Sequence, residues 1–368
     1  MTARNRSRSW FVGTVVAALL APLAFVVAVA TPASATPGKL HEIYMYKVEK
    51  YFDIGSEYPD NYLHEHLYCN NGDIPLDGMW RIDSVDQAQP SEGIYGDERD
   101  VIVYASYPDD DQSGPYNPTE WHFRMENLAD GDAKVHLWVT CIRGTVEYAH
   151  GHTHGIDAGM AGIPYRDDQW NHFGPNPLAT TPSGDTGALQ HSFMCPAGSY
   201  AVAPGFNFLN DDKQRIYGSW TTNSAPAVYG RGWQWAFITE QPSEVRFYLR
   251  CLNQKVFNGG PGVQHSHRIP IEWRPNPANV GSVQNVGPHR FGERRINCDD
   301  NPNGAFYQNY KAMVGGFWIY DWHYVWYLGM DPRPKQRSFK FMYFGPGDDR
   351  VALGALCVRA RTEKQIKY

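Results

Sequence analysis

The chain has 368 residues, 42% of them hydrophobic and 14% aromatic, and a net charge of −6. That is too apolar for a disordered tail and long enough for two or three domains. The acidic balance excludes a strongly basic surface, so neither nucleic acid nor anionic lipid is expected as a partner.

Residues 1–35 read as a secretory signal peptide. Arg4, Arg6 and Arg8 give a basic start, Phe11 to Ala30 is almost wholly apolar, and Ala33-Ser34-Ala35 has the small-x-small form of a cleavage site. The apolar run is about long enough to span a bilayer. The cleavage site and the polar, proline-containing sequence beyond it favour removal instead. No later stretch is apolar enough, so no membrane span is expected after signal cleavage. All six cysteines lie beyond the signal, and an even count in an exported chain reads as disulfides.

Residues 36–61 form an extended lead-in with Tyr44, Tyr46 and Phe52. Three similar units follow: repeat 1 over 62–141, repeat 2 over 189–251 and repeat 3 over 291–368. They are joined by connectors over 142–188 and 252–290. Each unit ends in a run such as Val135-His136-Leu137-Trp138-Val139-Thr140-Cys141, Val245-Arg246-Phe247-Tyr248-Leu249-Arg250-Cys251 or Val351-Ala352-Leu353-Gly354-Ala355-Leu356-Cys357. The residues two, four and six before each cysteine are apolar, the period of a strand with one buried face. Leu67, Phe193 and Ile296 stand two before the opening cysteines, so those runs read as strands too. Between the cysteines lies an aromatic pair at alternate positions: Trp121 and Phe123, Trp233 and Trp235, Phe339 and Phe341. The closing cysteines recur about every 106–110 residues, which is self-similarity of the kind that marks repeats. Aligning the units selects the disulfides Cys69–Cys141, Cys195–Cys251 and Cys298–Cys357. Helical periodicity is scarce, and short Val, Tyr, Trp and Phe runs alternate with Gly and Pro. The expected fold is therefore all-β: three tandem small sandwich- or barrel-like repeats in series, each with one internal disulfide.

The connectors are themselves alike. One carries Ile163-Pro164 and Pro175-Asn176-Pro177, the other Ile269-Pro270 and Pro275-Asn276-Pro277. Such sequence predicts extended, semi-rigid spacers. The pattern Cys195-Pro196-Ala197-Gly198, Gly232-Trp233 and then Val245 to Cys251 resembles repeats in secreted proteins of high-GC Gram-positive bacteria. The likeness covers each cysteine-to-cysteine core and is best in the second unit. The other two have Asn70-Asn71-Gly72 and Asp299-Asp300-Asn301 where it has the Pro-Ala-Gly turn. The resemblance implies export and repetition, and brings no assigned activity.

Histidines offer the first candidate chemistry. His150, His152 and His154 follow the first unit, and His265 and His267 occupy the matching connector. On an extended segment alternate residues face the same way, so His-x-His presents two imidazoles to one ion. Zinc or copper suits such a site, although nothing in the sequence requires a cofactor. His64-Glu65-His66, before Cys69, is a further dyad and lacks the helical spacing of a zinc protease. A second candidate is a partner surface on the aromatic run containing Trp318, Tyr320, Trp322, Tyr324 and Trp326, which is aromatic on both faces if it is one strand. No nucleophile elbow, triad spacing or distinctive acid pair is found, so no catalytic residue is assigned. The expected function is that of a secreted, non-catalytic binding or structural protein of the extracellular space or cell wall, meeting a protein or polysaccharide there. An extracellular metal-binding protein using the connector histidines is the second expectation, and a secreted hydrolase the third.

Overall fold

A computed structural model describes residues 43–86, 97–109, 119–147, 153–156, 158–160, 178–180, 189–209, 214–222, 230–240, 242–254, 257–258, 269–274, 283–285, 291–298, 310–320, 323–343, 350–359, 361–362 and 366–367. Among these the chain is all-β, with one 3-10 turn at Asp97–Asp100 and no α-helix. Residues 1–35, read above as a signal peptide, lie outside the described residues, and no described helix is long and apolar enough to cross a membrane.

The lead-in and first unit give β1 (Tyr44–Ile54), β2 (Tyr62–Tyr68), β3 (Ile74–Val85), β4 (Val101–Pro108), β5 (Glu120–Asn127) and β6 (Ala133–Ile142). The first connector gives β7 (Thr145–Glu147), β8 (Thr153–Gly155), β9 (Ala158–Met160) and β10 (Leu178–Thr180). The second unit gives β11 (Leu189–Met194), β12 (Ser199–Phe208), β13 (Gln214–Thr222), β14 (Gly232–Thr239) and β15 (Glu244–Asn253). From the second connector come β16 (Phe257–Asn258), β17 (Ile271–Arg274) and β18 (Val283–Asn285). The third unit gives β19 (Phe291–Asn297), β20 (Tyr310–Ile319), β21 (Val325–Arg333), β22 (Gln336–Tyr343) and β23 (Arg350–Arg359), followed by β24 (Arg361–Thr362) and β25 (Ile366–Lys367).

These strands form three large sheets. The first has the order β19-β22-β21-β3-β6-β1-β24, with β25 also on β1. The second runs β10-β15-β12-β4-β5-β2, with β9 on β15. The third runs β11-β14-β13-β20-β23-β17, with β18 on β23. A small sheet, β16-β8-β7, joins the starts of the two connectors. The expected series of separate modules is therefore not what the pairing shows. Each unit is split between two sheets, and each large sheet is completed by a neighbouring unit. The seams are short: Phe206 and Asn207 oppose Ser106 and Ala105, Gly218 and Ser219 oppose Trp318 and Phe317, and Gly329 opposes Arg81. The physical reason is edge satisfaction. Three strands taken alone present two open edges of unpaired N–H and C=O groups, and pairing across units covers one of them.

The connectors are corrected in the same way. Rather than spacers, β9 and β10 pair with closing strand β15, and β17 and β18 pair with closing strand β23. The lead-in does likewise, with β1 paired to β6 from Met45↔Ile142 to Ile54↔Ala133.

All three expected disulfides form, and no described cysteine is free. Each joins the opening strand of a unit in one sheet to its closing strand in another. The staples thus stay within units and tie the sheets to one another. One hydrophobic cluster draws residues from all three sheets, among them Val139, Trp121 and Phe237.

The aromatic pairs need a register correction. Leu67 opposes Trp121 and Phe193 opposes Trp233, but Ile296 opposes Arg337 rather than Phe339. Trp121 and Trp233 donate through Nε1 to the hydroxyls of Ser106 and Ser219 at 3.0 and 2.8 Å. In the third unit the same place holds a buried guanidinium, 3.6 Å from the buried Asp77 carboxylate.

Candidate metal site

The strand period decides which side chains meet. On β5, Trp121, Phe123 and Met125 are fully buried in the core. Glu120, His122 and Arg124 consequently point to the other face. On β2, Leu67 is buried, and His64, His66 and Tyr68 take the other face. Antiparallel pairing then sets His66 opposite His122 and Tyr68 opposite Glu120. Across the next ladder Tyr107 lies opposite His122. The neck of the β4–β5 connection closes with the Asp109 amide donating to the Glu120 carbonyl at 3.0 Å, which places both acids beside the histidines. Buried Arg250 on β15 holds the Asp109 carbonyl at 3.1 Å.

Three imidazoles and two carboxylates converge there. The Nε2 atoms of His64 and His66 are 3.2 Å apart. His66 Nδ1 contacts Glu120 Oε1, which also accepts the Tyr68 hydroxyl at 3.0 Å. His122 Nε2 stands 3.7 Å from Glu120 Oε1 and 3.6 Å from Asp109 Oδ1. That nitrogen is buried and makes no hydrogen bond among the described residues. In two overlapping sets, His64, His66, His122 and Asp109, Glu120, His122, the donor atoms lie within 4.8 Å of one another. Donors around one tetrahedral zinc ion at about 2.0–2.1 Å stand about 3.3 Å apart, close to the His64–His66 separation. The His122 ring is fixed by parallel stacking on Tyr107, with centroids 4.8 Å apart at 2°, and Tyr107 stacks in turn on Tyr248 at 4.5 Å.

Electrostatics keep the rim imidazole neutral. Burial, then the neighbouring His66 and His122 rings, lowers the His64 pKa against the opposing pull of Glu65. Burial, followed by the hydrogen bond to Glu120, pushes the Tyr68 phenol up to about 12, so it stays a donor to that carboxylate. A neutral ring has a lone pair to give a metal, and a carboxylate on its other nitrogen orients that ring.

The other sequence candidates fare differently. His150, His152, His265 and His267 lie outside the described residues. The His154 backbone lies in β8, opposite Val146 and Asn258, which sets the two connectors side by side. The aromatic run is not one strand. Trp318 is the penultimate residue of β20 in the third sheet, Trp326 is the second residue of β21 in the first, and the chain turns at Tyr324. Trp318 packs on the core. Trp326 also packs there and carries the Arg215 guanidinium at 4.2 Å. Tyr320 and Tyr324 are exposed, and Trp322 lies outside the described residues. The dyad His64 and His66 was visible in the sequence. Glu120 and His122 carry no motif of their own in the sequence, although core positions for Trp121 and Phe123 turn both toward the opposite face.

No protein-family model matches the chain, and no curated protein matches it.

Proposed function

We propose that the protein is an exported, non-catalytic metal-binding component of the extracellular space or cell envelope, and that His64, His66 and His122 ligate zinc or copper. Glu120 acts as the carboxylate that orients His66 through Nδ1, and Asp109 flanks His122. The observation that carries this reading is the His122 Nε2 atom, buried among nitrogen and carboxylate donors at spacings an ion would bridge. Three imidazole donors suit zinc or copper better than calcium or magnesium, which prefer oxygen. Three protein ligands leave a fourth position for water or an external donor. Export is supported by the basic, apolar and small-residue pattern of residues 1–35 and by three disulfides, which persist in oxidising compartments.

Tag-free, metal-stripped protein titrated calorimetrically with zinc or copper tests the reading. One ion should bind per chain. His64→Ala and His122→Ala should abolish binding, and Glu120→Gln should weaken it about 10–100-fold. His154→Ala combined with His267→Ala should leave it intact. Loss of binding in that connector variant alone would transfer the site to the connectors.

A further inference from the structure

A second site lies away from the histidines, where β1 and β6 of the first sheet meet β20 and the turn between β21 and β22. A cavity of about 290 Å³ opens there, close to the lower end of the range for small-ligand pockets. Lys47, Lys311, Arg333 and Arg337 line it, and no carboxylate does among the described residues. The acids stand behind the wall and brace the cations. Lys47 is 3.1 Å from Glu49, Arg333 is 3.3 Å from Asp331, and Arg337 is 3.6 Å from Asp77. Arg337 is almost wholly buried and forms the floor. It donates to the Met313 carbonyl at 2.8 Å and to Thr140 Oγ1 at 3.3 Å, which fixes its plane. Met45, Ala312, Pro332 and Pro334 give the apolar part of the wall, and Tyr46 and Thr140 complete the lining.

Cations at one end and an apolar wall at the other select a particular chemistry. Inorganic phosphate would satisfy only the cations, and a neutral apolar molecule only the wall. A carboxylate head takes charge-assisted hydrogen bonds from guanidinium and ammonium groups. An alkyl body shed from water gains free energy against proline and methionine. We infer that this cavity binds a small amphipathic carboxylate, its head held by Arg333, Lys47 and Arg337 and its body lying along Met45 and the two prolines.

Octanoate is the probe, titrated into EDTA-treated protein so that the histidine site takes no part. Octanoate should bind saturably at one site per chain, with 1-octanol and inorganic phosphate each at least about tenfold weaker. Arg333→Gln and Lys47→Gln should each weaken octanoate about tenfold, the loss of one charge-assisted hydrogen bond. On unmutated protein, octanoate should shield Lys47 from acetylation by acetic anhydride, read by mass spectrometry. Octanol or phosphate binding as tightly as octanoate would overturn the inference. Unchanged affinity in both variants, or Lys47 acetylated equally with and without octanoate, would do the same.

Discussion

Arg337 shows how one substitution within a pattern changes the physics of a place. Its counterparts Trp121 and Trp233 fill their slots with a ring and satisfy one N–H on serine. A guanidinium there brings a charge into the core, and Asp77 is its partner. Asp77 itself loses water, and burial lifts its pKa from 3.8 to about 7 despite Arg337 and the Gly315 amide. A raised carboxylate pKa means that the folded state binds a proton the unfolded chain has already released. The resulting stabilisation is complete below about pH 4 and is lost as pH rises through about 7. Asp77→Asn removes this titration. Denaturant unfolding at pH 4.5 and 7.5 should show wild-type stability falling relative to the variant as pH rises, since other carboxylates cancel in the difference. An equal gap at both pH values would rule out the shift. The sequence hid this pair because the aromatic alignment placed Phe339 where Arg337 stands. Only strand register separates two apolar-looking alignments that differ by two residues.

Strands were legible wherever alternation was clean. The runs before each cysteine and the pairs Trp121/Phe123 and Trp233/Trp235 fold as expected, because period-2 burial leaves one solution. The 317–327 run was misleading because aromatic residues on both faces mask a turn between two strands that leave for different sheets. Close contact between sheets was not legible either. Gly78 on β3 packs under the Trp121 ring of another sheet, and a Cβ there would stand 1.9 Å from a ring atom. Its carbonyl also accepts the Ser106 hydroxyl at 3.4 Å. Gly78→Ala should therefore destabilise the protein by about 1–3 kcal/mol, the usual cost of overpacking, measured by chemical denaturation. A neutral result would mean that the two sheets separate more easily than their packing implies.

For the molecule as a whole, the three disulfides were readable from cysteine spacing, and the sharing of sheets was not. Alternation reports which face is buried and says nothing about which edge an open strand will seek. Sharing has a thermodynamic consequence. With every large sheet built from strands of two units and the largest core cluster drawing on all three sheets, fluorescence and far-UV circular dichroism should report a single coincident unfolding transition. Independent modules would melt separately. Opening one staple with Cys69→Ala and Cys141→Ala, which closes a separation of 72 residues, should lower that one transition by about 4 kcal/mol rather than release one unit.

The histidine cluster depends on the same architecture, since β2 and β5 present it on the face turned away from the core. Anomalous diffraction at the zinc edge, from crystals of the metal-stripped protein resupplied with zinc, tests it most directly. A single peak bonded to His64, His66 and His122 at about 2.0–2.1 Å is the result predicted here. A peak on His150, His152, His154, His265 or His267 with none at this cluster would contradict it.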